Sequence, residues 1–117
     1  MDRIHSTDWG SYIEETIILN DGVAFCHLSF PGKDDPPVHR KRAWLHELTV
    51  LPEYRNLGLA TKLIGICKER AKADGRKWLS LWVKPGTWME EWYKRLGFVY
   101  DEDFMRGDGQ KVYNMTL

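Results

Sequence analysis

The residues best suited to chemistry lie between Leu45 and Lys72, in the stretch LHELTVLPEYRNLGLATKLIGICKERAK. The apolar run Leu45–Leu51 reads as a strand, Pro52-Glu53-Tyr54 as a turn, and a helical pattern begins near Gly58. Between them sits Arg55-Asn56-Leu57-Gly58-Leu59-Ala60, an R-x-x-G-x-A pattern. A loop that leads into a helix N-terminus presents backbone N–H groups with no partner inside the helix, and the helix dipole adds positive potential there. Such a loop binds anions. Arg55 adds a charge-assisted donor, Gly58 lets the backbone come close to a ligand, Ala60 adds little bulk, and Lys62 lies one turn into the helix. Two other phosphate loops fail on spacing. A dinucleotide fingerprint needs three glycines after the strand, and only Gly58 falls in this turn. A P-loop needs G-x-x-x-x-G-K-[ST]; Gly58 to Lys62 is too short for it, and this loop has no Gly-Lys pair.

The elements that position this loop can be read from periodicity. Residues 1–11 read as a flexible arm. Tyr12–Leu19 is β-rich, Asn20-Asp21-Gly22 is a hairpin turn, and Val23–Phe30 returns as its partner strand. Residues 31–42, PGKDDPPVHRKR, read as a loop, because Pro36-Pro37 forbids ladder bonding and the charges favour water. Trp44–Leu51 is the central strand. The helix over residues 58–74 carries Leu59, Leu63, Ile66, Cys67 and Ala71 on one face. Lys77–Val83 alternates large apolar residues and reads as a buried strand. Thr87 opens a second helix with a Thr87-x-x-Glu90 capping box, and Gly97 stops it. Two more β segments flank Gly107-Asp108-Gly109. The order β-β-β-α-β-α-β-β gives an α/β chain with a mixed sheet and a central parallel βαβ unit.

Composition bounds what this fold can do. The chain has 117 residues, which fits one domain with a core of its own. Lys+Arg and Asp+Glu are 17 each, so no global field draws it to nucleic acid or to a membrane surface. The run His39-Arg40-Lys41-Arg42 reads as a solvated loop in this neutral chain. Cys26 and Cys67 sit in apolar runs without a CxxC pattern, and no metal site is suggested. They read as small buried side chains of a reducing compartment. The polar N-terminus shows no signal-peptide pattern, and no apolar stretch approaches the roughly 20 residues that span a bilayer. The expectation is a cytoplasmic protein.

The R-x-x-G-x-A pattern with its flanking strand and helix resembles the phosphate-binding motif of the Gcn5-related N-acetyltransferase (GNAT) family. Trp92-Tyr93-Lys94-Arg95-Leu96-Gly97-Phe98 is similar to the Y-x-x-L-G-F segment of that family, and the element order matches over residues 12–117. The resemblance implies a GNAT-like acyl-CoA N-acyltransferase fold. It implies acetyl-CoA as cofactor, with its pyrophosphate at Arg55, Asn56, Leu57, Gly58, Leu59, Ala60 and Lys62. Its thioester arm would pair with the backbone of Leu48 and Val50, where the central strand splays from its parallel neighbour. The family often has an Asn at the start of the last helix. Here that segment is Lys84-Pro85-Gly86-Thr87-Trp88, without one.

Acetyl transfer to an amine needs a neutral nucleophile, so a base must accept a proton directly or through water. His46 and Glu47, on the central strand, are the two candidates, with water alone as a third reading. His46 has the better ordinary pKa and aligns with a catalytic histidine of some family members. Strict alternation would put Trp44, His46, Leu48 and Val50 on one face and Leu45, Glu47 and Thr49 on the other. A bulge, usual in the family on this strand, would shift that phase. Tyr93 matches the family tyrosine at the leaving thiolate. A phenol near pKa 10 is a poor proton donor to a thiolate near 8.5, so hydrogen-bond stabilisation is the simpler role. His5, His27 and His39 have no evident place in the site.

The family's N-terminal helices, which roof the acceptor site, have no room before Tyr12. The acceptor face should be open or closed by a second copy of the chain as a homodimer. Trp82, Trp88 and Trp92 are candidates to wall it. The acceptor is then an amine of a small molecule or of a protein, and an open face suits a protein lysine or N-terminus better than a small caged metabolite. The alternative is a non-catalytic acyl-CoA-binding or interaction module on the same fold.

Overall fold

The computed structural model describes residues 2–104 and 107–117. One seven-stranded sheet runs in the order β1-β2-β3-β4-β5-β7-β6. Its strands are β1 (Arg3–Asp8), β2 (Tyr12–Leu19), β3 (Ala24–Pro31), β4 (Arg42–Val50), β5 (Trp78–Val83), β6 (Val99–Tyr100) and β7 (Lys111–Thr116). The helices are the single turn α1 (Pro37–Arg40), α2 (Leu59–Ala73) and α3 (Trp88–Arg95). All neighbouring strands are antiparallel except β4 and β5, which α2 joins in parallel. The mixed α/β sheet and its central βαβ unit are as expected.

Alternation in the sequence decides the two faces of the sheet. Ile17, Leu19, Ala24, Cys26, Leu28, Ala43, Leu45, Leu79 and Leu81 point to one face. They bury against Leu63, Ile64, Cys67 and Ala71 of α2, and Tyr93 of α3 joins the same core. Burying a large aliphatic side chain is worth about 1.5–3 kcal/mol, so this stripe fixes α2 on the sheet. Cys26 and Cys67 are free and buried in this layer, as expected, with sulfurs 3.4 Å apart.

Four expectations are corrected. The N-terminal arm is instead β1, paired residue by residue with β2, and Met1 lies outside the described residues. The loop over 31–42 contains α1, and β4 starts at Arg42, two residues before Trp44. Glu90 does not complete a capping box with Thr87. Its carboxylate accepts from the Gly86 N–H (3.0 Å), and the Thr87 hydroxyl donates to the Lys84 carbonyl (2.8 Å). The β segment before Gly107 is only Val99–Tyr100, while Met105 and Arg106 lie outside the described residues. The bulge expected on β4 is present and re-phases it, so strict alternation does not hold. His27 pairs with His46 and Phe25 with Thr49, so one residue of β3 faces two of β4, Glu47 and Leu48. Glu47 takes the left-handed conformation there (φ 51). Leu48 and Val50 thereby join Leu45 against the core, while Trp44 and His46 stay on the opposite face with Trp82.

Arg42, expected in a solvated basic run, is 5% exposed. Its guanidinium donates to the Val38 carbonyl (2.8 Å), Ser80 Oγ (3.3 Å), Asn114 Oδ1 (2.7 Å) and Asp101 Oδ2 (2.9 Å). It also lies over the rings of Trp44, Trp78 and Phe104 at 5.0–5.8 Å. This ties the first residue of β4 to β5, to β7 and to the segment after β6. Burial alone would raise the Asp101 pKa, but hydrogen bonds from Asn114 and Arg42 outweigh it and hold it below its ordinary value.

Removing Arg42 would leave the Asp101 carboxylate in a partly buried site without its cation. Arg42→Met should destabilise the fold by about 3–5 kcal/mol in denaturant unfolding, and adding Asp101→Leu should recover much of the loss. A depressed carboxylate pKa contributes stability that is complete above the ordinary value of 3.8 and is lost as pH falls through the lower folded value. The wild type should therefore lose stability in that acid window, and Asp101→Asn should flatten the loss.

Candidate active site

β4 and β5 pair over only three residues, Arg42↔Trp78, Ala43↔Leu79 and Trp44↔Ser80. Beyond Trp44, β4 has no partner on the β5 side among the described residues, and the strands part. The Leu51 N–H donates to the carbonyl of Val23, the residue just before β3 (2.9 Å). In an antiparallel ladder the neighbouring residue then points its N–H and C=O the other way. Val50 therefore presents its backbone to the side that β5 has left. Arg55 Nε donates to that carbonyl (3.1 Å), which ties the loop back to the strand end.

Two cavities meet at this parting, and Leu48, Met89 and Tyr93 line both. The first, of about 440 Å³, runs from Leu48 and Val50 to Arg55, Asn56, Gly58, Leu59 and Ala60. Gly58 is in the left-handed region (φ 78) immediately before α2, and a Cβ there would meet no protein atom. Backbone conformation, not crowding within the chain, is what calls for glycine here. The first intrahelical bond is Lys62 N–H to the Gly58 carbonyl, so the N–H groups of Leu59, Ala60 and Thr61 have no helical partner. Of the residues expected in the phosphate seat, Leu57 and Lys62 do not line this cavity. Leu57 is 67% exposed, and Lys62 Nζ pairs with Asp2 (3.1 Å). Trp88, Trp92 and Tyr54 wall this cavity, so of the three tryptophans only Trp82 lines the second one.

The second cavity, of about 830 Å³, lies over the face of the sheet opposite α2. His46 is half-buried there, its ring edge-on to Trp82 with centroids 4.7 Å apart. Burial pushes its pKa below the ordinary 6.5, against the opposing pull of Glu14. His46 is thus neutral at pH 7 and able to accept a proton. Glu47 sits on the bulge, largely exposed, with Oε2 3.3 Å from His27 Nε2. Tyr93 is 5% exposed, and burial pushes its pKa up to about 12. Its hydroxyl stays protonated and finds no hydrogen-bond partner among the described residues. No buried polar side-chain atom is left without one, so this hydroxyl reaches into the cavities.

His27 and His39, which had no evident place, both line the second cavity. The signal for His27 was present in VAFCHLSF, where Ala24, Cys26, Leu28 and Phe30 claim the core face and leave His27 and Ser29 on the other. His39 depends on α1, which periodicity does not reveal. His5 pairs in register with Thr16 on β1, an exposed strand, and does not line the cavity.

An Arg55→Glu chain should bind coenzyme A at least about tenfold more weakly by calorimetry, a loss of about 1.4 kcal/mol. Unchanged affinity would remove the Arg55–Ala60 loop from the site.

The acetyltransferase (GNAT) family model matches residues 5–98. An uncharacterized N-acetyltransferase of Methanocaldococcus jannaschii is 43% identical over 60 residues, and that match covers 50% of this chain and 26% of the relative. Among solved structures, the GNAT domain of PAT from S. lividans superposes with a TM-score of 0.70 at 16% identity, over 95% of this chain and 64% of the other. The PaiA N-acetyltransferase of Thermoplasma acidophilum, in complex with coenzyme A, gives 0.68 at 16% identity, over 92% and 62%. A Bacillus anthracis chain in complex with acetyl coenzyme A gives 0.68 at 20% identity, over 94% and 65%. These structural likenesses concern the fold, and the family match covers most of the chain. With the strand–loop–helix at Arg55–Ala60 and the parted β4 and β5, they make this chain a member of the GNAT acetyltransferase family.

Proposed function

We propose that this chain is an acetyl-CoA-dependent N-acetyltransferase acting on a primary amine. The observation that carries the reading is the parting of β4 from β5, with a cavity on either side meeting at Leu48 and Tyr93. The residues present fit acetyl-CoA. The first cavity offers unpaired helix N–H groups and the Arg55 guanidinium at one end, and the outward backbone of Val50 at the other. Val50 has its carbonyl engaged by Arg55, which leaves its N–H as the free group. Bound in that cavity, acetyl-CoA would supply an activated acyl group as a thioester.

The chain's own residues then divide the work. The loop Arg55–Ala60 holds negative charge. His46 accepts the proton of the attacking amine, directly or through water, because burial keeps its imidazole neutral. Glu47 is the weaker choice of base, since it is exposed and faces His27. Tyr93 donates a hydrogen bond to developing negative charge on the departing sulfur. With a pKa near 12 it does so without giving up its proton. The concave acceptor face, of about 830 Å³, lies within the roughly 300–1,000 Å³ of small-molecule sites and favours a small acceptor over a protein surface.

The pH profile tests the base. kcat/KM should rise as pH increases through an inflection below 6.5, the ordinary histidine value. His46→Gln should abolish that inflection and lower the rate about 10²-fold or more. An unchanged profile would exclude His46. Tyr93→Phe should lower kcat by roughly 10² while the affinity for acetyl-CoA stays within about threefold. A wild-type kcat in that variant would exclude Tyr93.

A further inference from the structure

The second cavity has a one-sided charge. Glu14, Asp35 and Glu47 line it with His27, His39 and His46, and among the described residues no lysine or arginine does. Asp35 is engaged in capping the Gly32 N–H (2.8 Å). Glu14 and Glu47 both face His27, whose ring nitrogens lie 4.0 Å and 3.3 Å from them. Among the described residues no lysine or arginine pairs with either carboxylate. The register separates Glu14 from the reacting end, whereas Glu47 follows His46 on β4. Glu14 pairs with Ser29, and Ser29 with Trp44, so Glu14 stands two strands from β4, about 10 Å at ordinary strand spacing. At the other end, the hydroxyl of the largely buried Tyr93 opens into the cavity without a partner among the described residues.

We infer that the acceptor is a linear amine with a second cationic group, its reacting end at His46 and Tyr93 and its distal ammonium beside Glu14. This rests on the acetyl-transfer reading above and names its substrate class. An acceptor with a distal carboxylate would bring a second anion among carboxylates with no cation to receive it, and a distal methyl would gain nothing from them. In the transfer, the amine nitrogen forms its bond to the acetyl carbon as the carbon–sulfur bond of acetyl-CoA breaks. The amine proton passes to His46 or water, and coenzyme A leaves as the thiol or thiolate.

Three probes of equal length separate the cases: hexamethylenediamine, hexylamine and aminohexanoate. Each is titrated by calorimetry into the chain loaded with coenzyme A, and each is assayed for thiol release from acetyl-CoA. The diamine should bind at least about fivefold more tightly than hexylamine, the upper range for a partly exposed ion pair, and aminohexanoate most weakly. Glu14→Gln should shrink the diamine preference, and Glu14→Asp should restore part of it. Equal binding of all three probes, or a preference for aminohexanoate, would overturn the inference. Preferential diamine binding without thiol release from any amine would keep the cation site and count against the acetyl-transfer reading instead.

Discussion

A guanidinium buried at the first residue of β4 sets the geometry of the molecule. Arg42 is bound to β5 through Ser80, to β7 through Asn114 and to the segment after β6 through Asp101. Nothing comparable binds β4 to β5 at their far ends among the described residues. The parallel ladder therefore holds at Arg42–Trp44 and opens beyond it. A buried charge is costly, and the cost is met here by a full set of acceptors and three aromatic faces.

The opening has a second cause in the bulge at Glu47. By placing two residues opposite one, it turns Leu48 and Val50 onto the core side while His46 stays on the open side. One strand thus serves both cavities. Its open-face side chain His46 reaches the second cavity, and the backbone of Val50 faces the first. Tyr93 closes the apex from α3. The helix is held there by Phe98 and Trp92 around the tyrosine ring and by Glu90, whose carboxylate accepts from Tyr113 (2.6 Å) and Gly86 (3.0 Å) and is held down to a pKa of about 2.

Much of this was legible in the sequence. The strand, loop and helix around Arg55–Ala60 follow from an apolar run, a Pro turn and a 3.6-residue period, and the hairpin follows from Asn20-Asp21-Gly22. What escaped was long-range. An exposed N-terminal segment carries no hydrophobic signal for β1, because its strand character comes from pairing with β2. Arg42 looks like one member of a basic run, and only tertiary partners far along the chain bury it. The phase of β4 could not be read from alternation, because a bulge leaves no mark in composition. The placing of Trp88 and Trp92 on the donor side depends on where α3 docks, which local pattern does not encode.

The central claim is that the parting of β4 and β5 is the seat of acetyl-CoA. Titrating coenzyme A into isotopically labelled chain and following backbone amide resonances tests it directly. The largest shifts should fall on the amides of Leu48, Val50 and residues 55–61. Saturable binding with those amides unmoved, and shifts gathered elsewhere, would contradict it.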